Sequence, residues 1–147
     1  MIEKDRNANS FTLIEVIIVL VIVTVVGMIS IPRVTNAIES ARFRGAISKL
    51  ITFLRNTHLE AVLTRKDMDV TVDFEENILK RNDGQLFILP PEIILKPEEI
   101  DDYDMMKYTF FNNGRGTGPK IQLIGSNERK ATVYVDSLSG LARYDFK

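Results

Sequence analysis

The sequence predicts an α+β protein: a long N-terminal helix, membrane-spanning in its first half, packed through its second half against a small antiparallel β domain. Three observations carry this. Phe11 to Ile31 is apolar almost throughout, broken only by Thr12, Glu15, Thr24, Gly27 and Ser30. After Pro32, apolar residues recur mostly at spacings of three and four, the period of one helix face. From Met68 onward the period falls to two, as in half-buried strands.

The first segment supplies about 20 residues, which at ~1.5 Å rise per residue match a hydrocarbon core ~30 Å thick. Val16, Ile17, Ile18, Val19, Val21, Ile22 and Val23 are β-branched and would weaken a helix in water. In lipid the backbone has no other partners, and a single segment must be helical. A cleaved secretory signal is the rival. VVGMISIPR offers no A-x-A site, and apolar periodicity continues past Pro32.

In the second segment Val34, Ile38, Ala41, Ile47, Leu50, Ile51, Leu54, His58, Ala61 and Val62 form the expected apolar face, with Arg33, Glu39, Arg42, Lys49, Arg55 and Arg65 on other faces. One helix from Phe11 to Arg65 would be roughly 80 Å long. Pro32 removes one backbone bond and Gly27 loosens the turn before it, so Gly27 to Pro32 is where such a helix is expected to bend. A coiled-coil dimer is disfavoured because no strict heptad persists and Gly45 interrupts the run.

The β domain follows. Met68, Val70, Val72 and Phe74 alternate with polar residues, as do Ala131, Val133 and Val135. Shorter strands are expected at Ile78 to Arg81, Leu86 to Leu89, Glu92 to Leu95, Tyr108 to Phe111, Lys120 to Ile124 and Leu141 to Asp145. Turn residues separate them: Asn82-Asp83-Gly84, Pro90-Pro91, Asn112-Asn113-Gly114, Gly125-Ser126-Asn127 and Ser139-Gly140.

Composition excludes several chemistries. The 147 residues are 45% hydrophobic with a formal net charge of −1 and no cysteine. Disulfides, thiolate metal sites and a Cys nucleophile are ruled out, and no long basic run supports a dedicated nucleic-acid binder. NNGRGTG matches neither a Walker loop nor GxGxxG before a helix and is expected to be a hairpin turn. The acidic cluster Glu98, Glu99, Asp101, Asp102 and Asp104 lacks EF-hand spacing and is expected to be a solvated loop. His58, the sole histidine, has no companion ligand or nucleophile. The expectation is therefore no catalytic residue, no metal and no cofactor.

Glu15 sets the most specific question. A carboxylate at the centre of a span costs roughly 2.5–3.5 kcal/mol, less near the interface, so its presence needs a cause. Ser10, Phe11, Thr12, Leu13, Ile14 and Glu15 spell SFTLIE directly before the apolar run. This resembles the processing and methylation site of type IV pilins and type II secretion pseudopilins. The resemblance implies that a prepilin peptidase cuts between Ser10 and Phe11 and methylates Phe11. It also implies that Glu15 faces the N-terminal amine of a neighbouring subunit, so that two groups unfavourable in lipid satisfy each other. The family prefers Gly before the cut, where this chain has Ser10.

The C-terminal third, TFFNNGRGTGPKIQLI and then KATVYVDSLSGLARY, resembles the head of the GspH/FimT group. That likeness implies a β-sandwich head of two antiparallel sheets. The expected organisation is a leader at 1–10, a transmembrane or filament-core helix at 11–32, an amphipathic helix at 33–66 and the head at 67–147. The implied function is that of a non-enzymatic minor pseudopilin that helps initiate or cap a periplasmic pseudopilus for protein export. The alternative is a minor type IV pilin for pilus biogenesis or DNA uptake. Implied partners are the prepilin peptidase, other major and minor pseudopilins, the inner-membrane assembly platform and membrane lipid, with no specific nucleic acid. Uptake members are expected to carry Gly-Arg-x-Arg in the last hairpin, and here Gly140, Leu141, Ala142 and Arg143 stand there. The implied location is the inner membrane, single-pass, with the head in the periplasm. Lys and Arg counts favour the opposite orientation, with Lys4 and Arg6 before the span and Arg33, Arg42, Arg44 and Lys49 after it. The N-terminus-inside topology therefore comes from the resemblance alone.

Overall fold

The computed structural model describes residues 11–98 and 105–146, without the side chains of 29–33, 105 and 127. Helix α1 runs from Leu13 to Thr64, 52 residues. Thr12 starts it: the Glu15 N–H donates to Thr12 O at 3.1 Å and Thr12 Oγ1 at 3.3 Å. This fills the N-cap role of a T-x-x-E sequence. Arg65 ends it with a left-handed φ of 53°. The Lys66 N–H then turns back to Ala61 O at 3.2 Å, satisfying a carbonyl that the helix leaves open.

The chain divides into two compact units with the boundary between Ile38 and Glu39. In the first, the described apolar side chains are exposed on every side of the helix, Leu13, Val19, Val23 and Met28 among them. A helix apolar all round is built for a non-aqueous surrounding. Its one described hydroxyl inside the run, Thr24 Oγ1, donates to Leu20 O at 2.7 Å and so presents no free polar group. Among the described residues no helical stretch is both long and apolar enough to cross a membrane. Those side chains reach Met28, whereas the apolar sequence goes on through Ile29 and Ile31.

In the second unit nine strands are seen among the described residues: β1 Met68–Asp73, β2 Ile78–Arg81, β3 Leu86–Ile88, β4 Ile94–Pro97, β5 Met105–Phe110, β6 Gly116–Thr117, β7 Ile121–Ile124, β8 Lys130–Val135 and β9 Ala142–Phe146. They form two antiparallel sheets, ordered β3-β2-β1-β5-β6 and β4-β7-β8-β9. Alternation sets which side chains face inward. Val70 and Val72 of β1, Ile121 and Leu123 of β7, and Val133 of β8 are all fully buried.

From Glu39 onward α1 fills the core with Phe43, Ala46, Ile47, Leu50, Ile51, Phe53, Leu54 and Ala61. Phe53 also meets Phe87 of β3, centroid to centroid at 5.4 Å. Four residues expected on the apolar face are instead exposed: Val34, Ile38, Ala41 and Val62. Val34 and Ile38 precede Glu39, outside the unit that holds the strands. Ala41 and Val62 lie off the stripe through Phe43, Leu50 and Leu54, as the ~100° advance per residue requires.

Other differences have local causes. β4 begins and ends two residues later than expected and includes Pro97. The β4–β7 register pairs Lys96 with Gln122, and Glu98 N–H bonds Lys120 O at 3.0 Å, so the position between them points off the edge where proline costs no ladder bond. The NNGRGTG turn contributes a ninth strand, β6, too short to show a period. Arg81 is buried, held by Glu60 of α1 at 2.7 Å and by Asp83. Tyr108 is fully buried, its hydroxyl lacks a partner among the described residues, and burial pushes its pKa far above the ordinary range.

Candidate processing and assembly site

The residues singled out for processing lie at the start of α1. Ser10 and the rest of the expected leader fall outside the described residues. Phe11 and Thr12 precede the helix, and Phe11 is 75% exposed. Glu15 sits in the first turn, exposed, with its backbone N–H capped by Thr12. Thr12 was not picked out from the sequence, although a hydroxyl three residues before a Glu at the head of an apolar run is the capping signal. The geometry leaves the Phe11 backbone clear of the helix and sets the acid one turn away.

Gly27 lies inside α1 with nothing within 4 Å of where a Cβ would be. Pro32 also lies inside α1, and its side chain is outside the described set. Helical structure is continuous through both positions. Pro32 nevertheless has no N–H to donate, so one carbonyl of the preceding turn lacks its helical partner.

In the second unit, His58 joins three elements. Its Nε2–H donates to Gly114 O at 2.9 Å, and its ring lies 6.0 Å from that of Phe110. Gly140 packs against the same point: a Cβ there would sit 2.6 Å from both Gly114 O and His58 Nε2. The turns after β5 and β8, from different sheets, therefore meet on the helix through one imidazole. Among the described residues its partners are a turn carbonyl and an aromatic ring, which is a structural role. Asp136 organises the second turn, accepting from Ser139 N–H at 2.9 Å and Ser139 Oγ–H at 2.8 Å. These bonds hold its carboxyl below the ordinary value.

Near that turn, Arg55, Tyr134, Leu141, Arg143, Tyr144 and Asp145 line a shallow cleft of about 440 Å³. Arg55 is fixed in place by donating from Nε to Ala142 O at 3.2 Å. Arg143 has Asp145 two residues along the same face of β9. Of the acidic cluster, only Glu98 is described, with its Oε1 3.4 Å from Thr132 Oγ1; Glu99, Asp101, Asp102 and Asp104 lie outside the described residues.

Comparison with known proteins matches residues 5–31 to the prokaryotic N-terminal methylation motif, a span that contains SFTLIE. Among curated proteins no sequence match is found. The fold is similar to that of the minor pseudopilin EpsH from the Type 2 Secretion System of Vibrio cholerae, with a TM-score of 0.53 over 67% of this chain and 92% of that one. At 14% identity that likeness speaks for the fold. The chain thus carries a prokaryotic N-terminal methylation motif at the start of its long helix and, on the end of that helix, two antiparallel sheets in a fold similar to that of a minor pseudopilin.

Proposed function

We propose that this protein is a minor pseudopilin of a type II secretion system, a structural subunit that helps initiate or cap a periplasmic pseudopilus. The observation that carries this is the pairing of the methylation motif with a two-sheet head similar to that of a secretion pseudopilin. In this proposal prepilin peptidase cuts between Ser10 and Phe11 and methylates Phe11. Phe11 to Pro32 anchors the chain in the inner membrane with the head outside. Glu15 leaves its exposed position by pairing with the amine of a neighbouring Phe11 or its equivalent. Two charges that are each costly in lipid then neutralise each other, so assembly is favoured where isolated insertion is not. Gly27 and Pro32 supply the place where the helix bends as it packs among other pseudopilins on the assembly platform. The head works by presenting surface, without catalysis and without a cofactor. The test is deletion and complementation: export of a folded substrate should stop without this chain and return with it. Unimpaired export after deletion would remove the assignment.

The DNA-uptake reading gains one specific observation. The turn carrying Arg115 meets the hairpin carrying Arg143, and Arg55 stands beside them. Against it, Asp136 and Asp145 lie in the same hairpin, and duplex affinity needs several phosphates neutralised at once. The protein is expected to bind duplex DNA with dissociation constants on the order of 10⁻⁴ M or weaker at physiological salt. An anisotropy titration giving low-micromolar affinity that is lost in Arg143→Ala would favour the uptake pilin.

A further inference from the structure

The second half of α1 does not bury every apolar side chain it carries. Successive helical residues advance by ~100°, so Arg55, Leu59, Val62 and Leu63 share one arc roughly 100° wide, on a different side from Leu50, Leu54 and Ala61 in the core. On that arc Leu59 is 54% exposed and Leu63 73%. Val62, also exposed, lies next to the turn after β5, with its Cγ2 3.9 Å from the Cβ position of Gly114. The turn after β8 contributes Leu141, which lines a cleft with Arg55, and Leu138, which is 80% exposed. Both turns are held to the helix at His58, through the Gly114 carbonyl and the close approach of Gly140. An apolar shelf is therefore fixed in position within the second unit, uncovered by any strand or turn of the described residues.

Cations close both ends of this shelf. Arg55 stands at one end, and Arg65 and Lys66 follow the last turn of α1 at the other; all three are exposed, and none forms an ion pair among the described residues. The acids nearby are engaged elsewhere. Glu60 holds Arg81 at 2.7 Å, Asp67 accepts from Asn112 N–H at 2.8 Å, and Asp136 accepts from the Ser139 N–H and hydroxyl. Asp145 lines the cleft with Arg55 without closing to ion-pair distance. The pattern along the helix is thus basic, apolar, basic.

We infer that the shelf docks an amphipathic helix of a different protein, one with apolar residues a turn apart and an acidic residue beyond each end of them. A helix fits because the shelf offers no free main-chain groups: an extended segment laid on these leucines would leave its own N–H and C=O groups without partners, whereas a helix satisfies its own internally. Leu59 and Leu63 lie one turn apart, ~6 Å along the axis, and a ridge at that spacing interdigitates with the same ridge of a second helix. Charge decides against a second copy. Two copies packed shelf to shelf bring Arg55 against the second copy's Arg65 and Lys66 when antiparallel, and like ends together when parallel, so cation meets cation in both directions. An acid beyond each end of the incoming helix meets a cation in either direction. A bilayer surface fits less well, since the long flanks of the shelf carry Asn56 and Glu60 on one side and the turns on the other, with no basic row facing anionic lipid. The inference rests on the head's own surface and goes beyond the secretion reading without depending on it.

The test uses the full chain in phosphatidylcholine nanodiscs and a fluorescein-labelled, end-blocked peptide, Gln-Glu-Ala-Gln-Ala-Leu-Ala-Gln-Leu-Leu-Ala-Gln-Glu-Ala-Gln, against the same peptide with Lys in place of both Glu. The acidic form should bind saturably and more tightly, by roughly two- to thirty-fold for two exposed charge pairs. Leu59→Gln combined with Leu63→Gln changes only exposed side chains, and should weaken binding by roughly tenfold or more while the head stays folded by circular dichroism. Arg55→Glu combined with Lys66→Glu should reverse the peptide preference. Absence of saturable binding, equal affinity for the two peptides, unchanged binding in the leucine variant, or an unreversed preference would each overturn the inference. So would self-association of the chain lost in the leucine variant, which would make a second copy the occupant. Co-sedimentation of the nanodiscs with phosphatidylglycerol vesicles, lost in the same variant, would assign the shelf to a membrane surface and overturn it likewise. Leader processing and export are read separately, so the failure of either proposal leaves the other's result intact.

Discussion

Replacing Gly140 by alanine tests how the head is closed. Gly140 has φ 64°, a conformation costing a residue with a Cβ roughly 1–2 kcal/mol. The added methyl would also lie 2.6 Å from Gly114 O and 2.6 Å from His58 Nε2. Both distances are below contact, and Gly114 O is backbone that cannot rotate away. The His58–Gly114 hydrogen bond must therefore break or stretch, which costs about 1–2 kcal/mol more. The sum, about 2–4 kcal/mol, should lower the melting temperature by roughly 10–25 °C for a domain of this size. Gly84→Ala is the matched control: φ is 93° but nothing lies within 4 Å of its Cβ position, so it carries only the backbone cost. All four tyrosines lie in the second unit, so near-ultraviolet circular dichroism of the full chain in detergent follows the head alone. If the two variants melt within about 2 °C of each other, less than the shift ~0.5 kcal/mol produces, the convergence of turns on His58 contributes nothing to stability.

Other consequences are open to measurement. Glu15→Val should insert in the membrane at least as well as the parent, since it deletes an intramembrane polar group, yet fail to join the filament; normal export with this variant would refute the amine-pairing role. A fragment starting at Asn36 should be soluble and β-rich, because it keeps Ile47, Leu50 and Leu54, buried residues worth ~1.5–3 kcal/mol each. A fragment starting at Asp67 should aggregate, and its being well folded would show that the helix is no part of the core. Acid stability offers a further check. The hydrogen bond from Arg81 holds the Asp83 carboxyl down at about 2, against an ordinary 3.8. A depressed carboxyl contributes stability that is fully present above the ordinary value and lost as pH falls through the folded one. Asp83→Asn should therefore flatten the fall in melting temperature between roughly pH 4 and 2. An unchanged acid profile would count against the Arg81–Asp83 contact.

Much of the molecule is legible in the sequence where one physical cause dominates. Alternation of Val70 and Val72 with Thr71 and Asp73 gives β1 its inner face, and Asn82-Asp83-Gly84 marks the turn between β2 and β3. SFTLIE is readable because its chemistry is local: the proposed cleavage junction, a capping hydroxyl and an acid fall within six consecutive residues. What escapes depends on partners far along the chain. Phe53 is core because Phe87 of β3 meets it, and Phe43 because the Gly125 turn after β7 lies against it, which helical period alone does not reveal. Arg81 reads as an ordinary surface charge until Glu60 and Asp83 arrive on either side of it. β6 exists through its pairing with β5, Phe110 opposite Gly116. Which amides of β9 point off the sheet follows from register, and register is invisible until β8 is in place.

The central claim is that this chain is a pilin-like subunit matured at its own N-terminus. Intact-mass analysis after co-expression with a prepilin peptidase tests it most directly. The mass should fall by the ten residues Met1 to Ser10, and the new N-terminal Phe11 should carry one added methyl group. A full-length product under conditions where a known prepilin is processed, or a cut near Ser30, would contradict it.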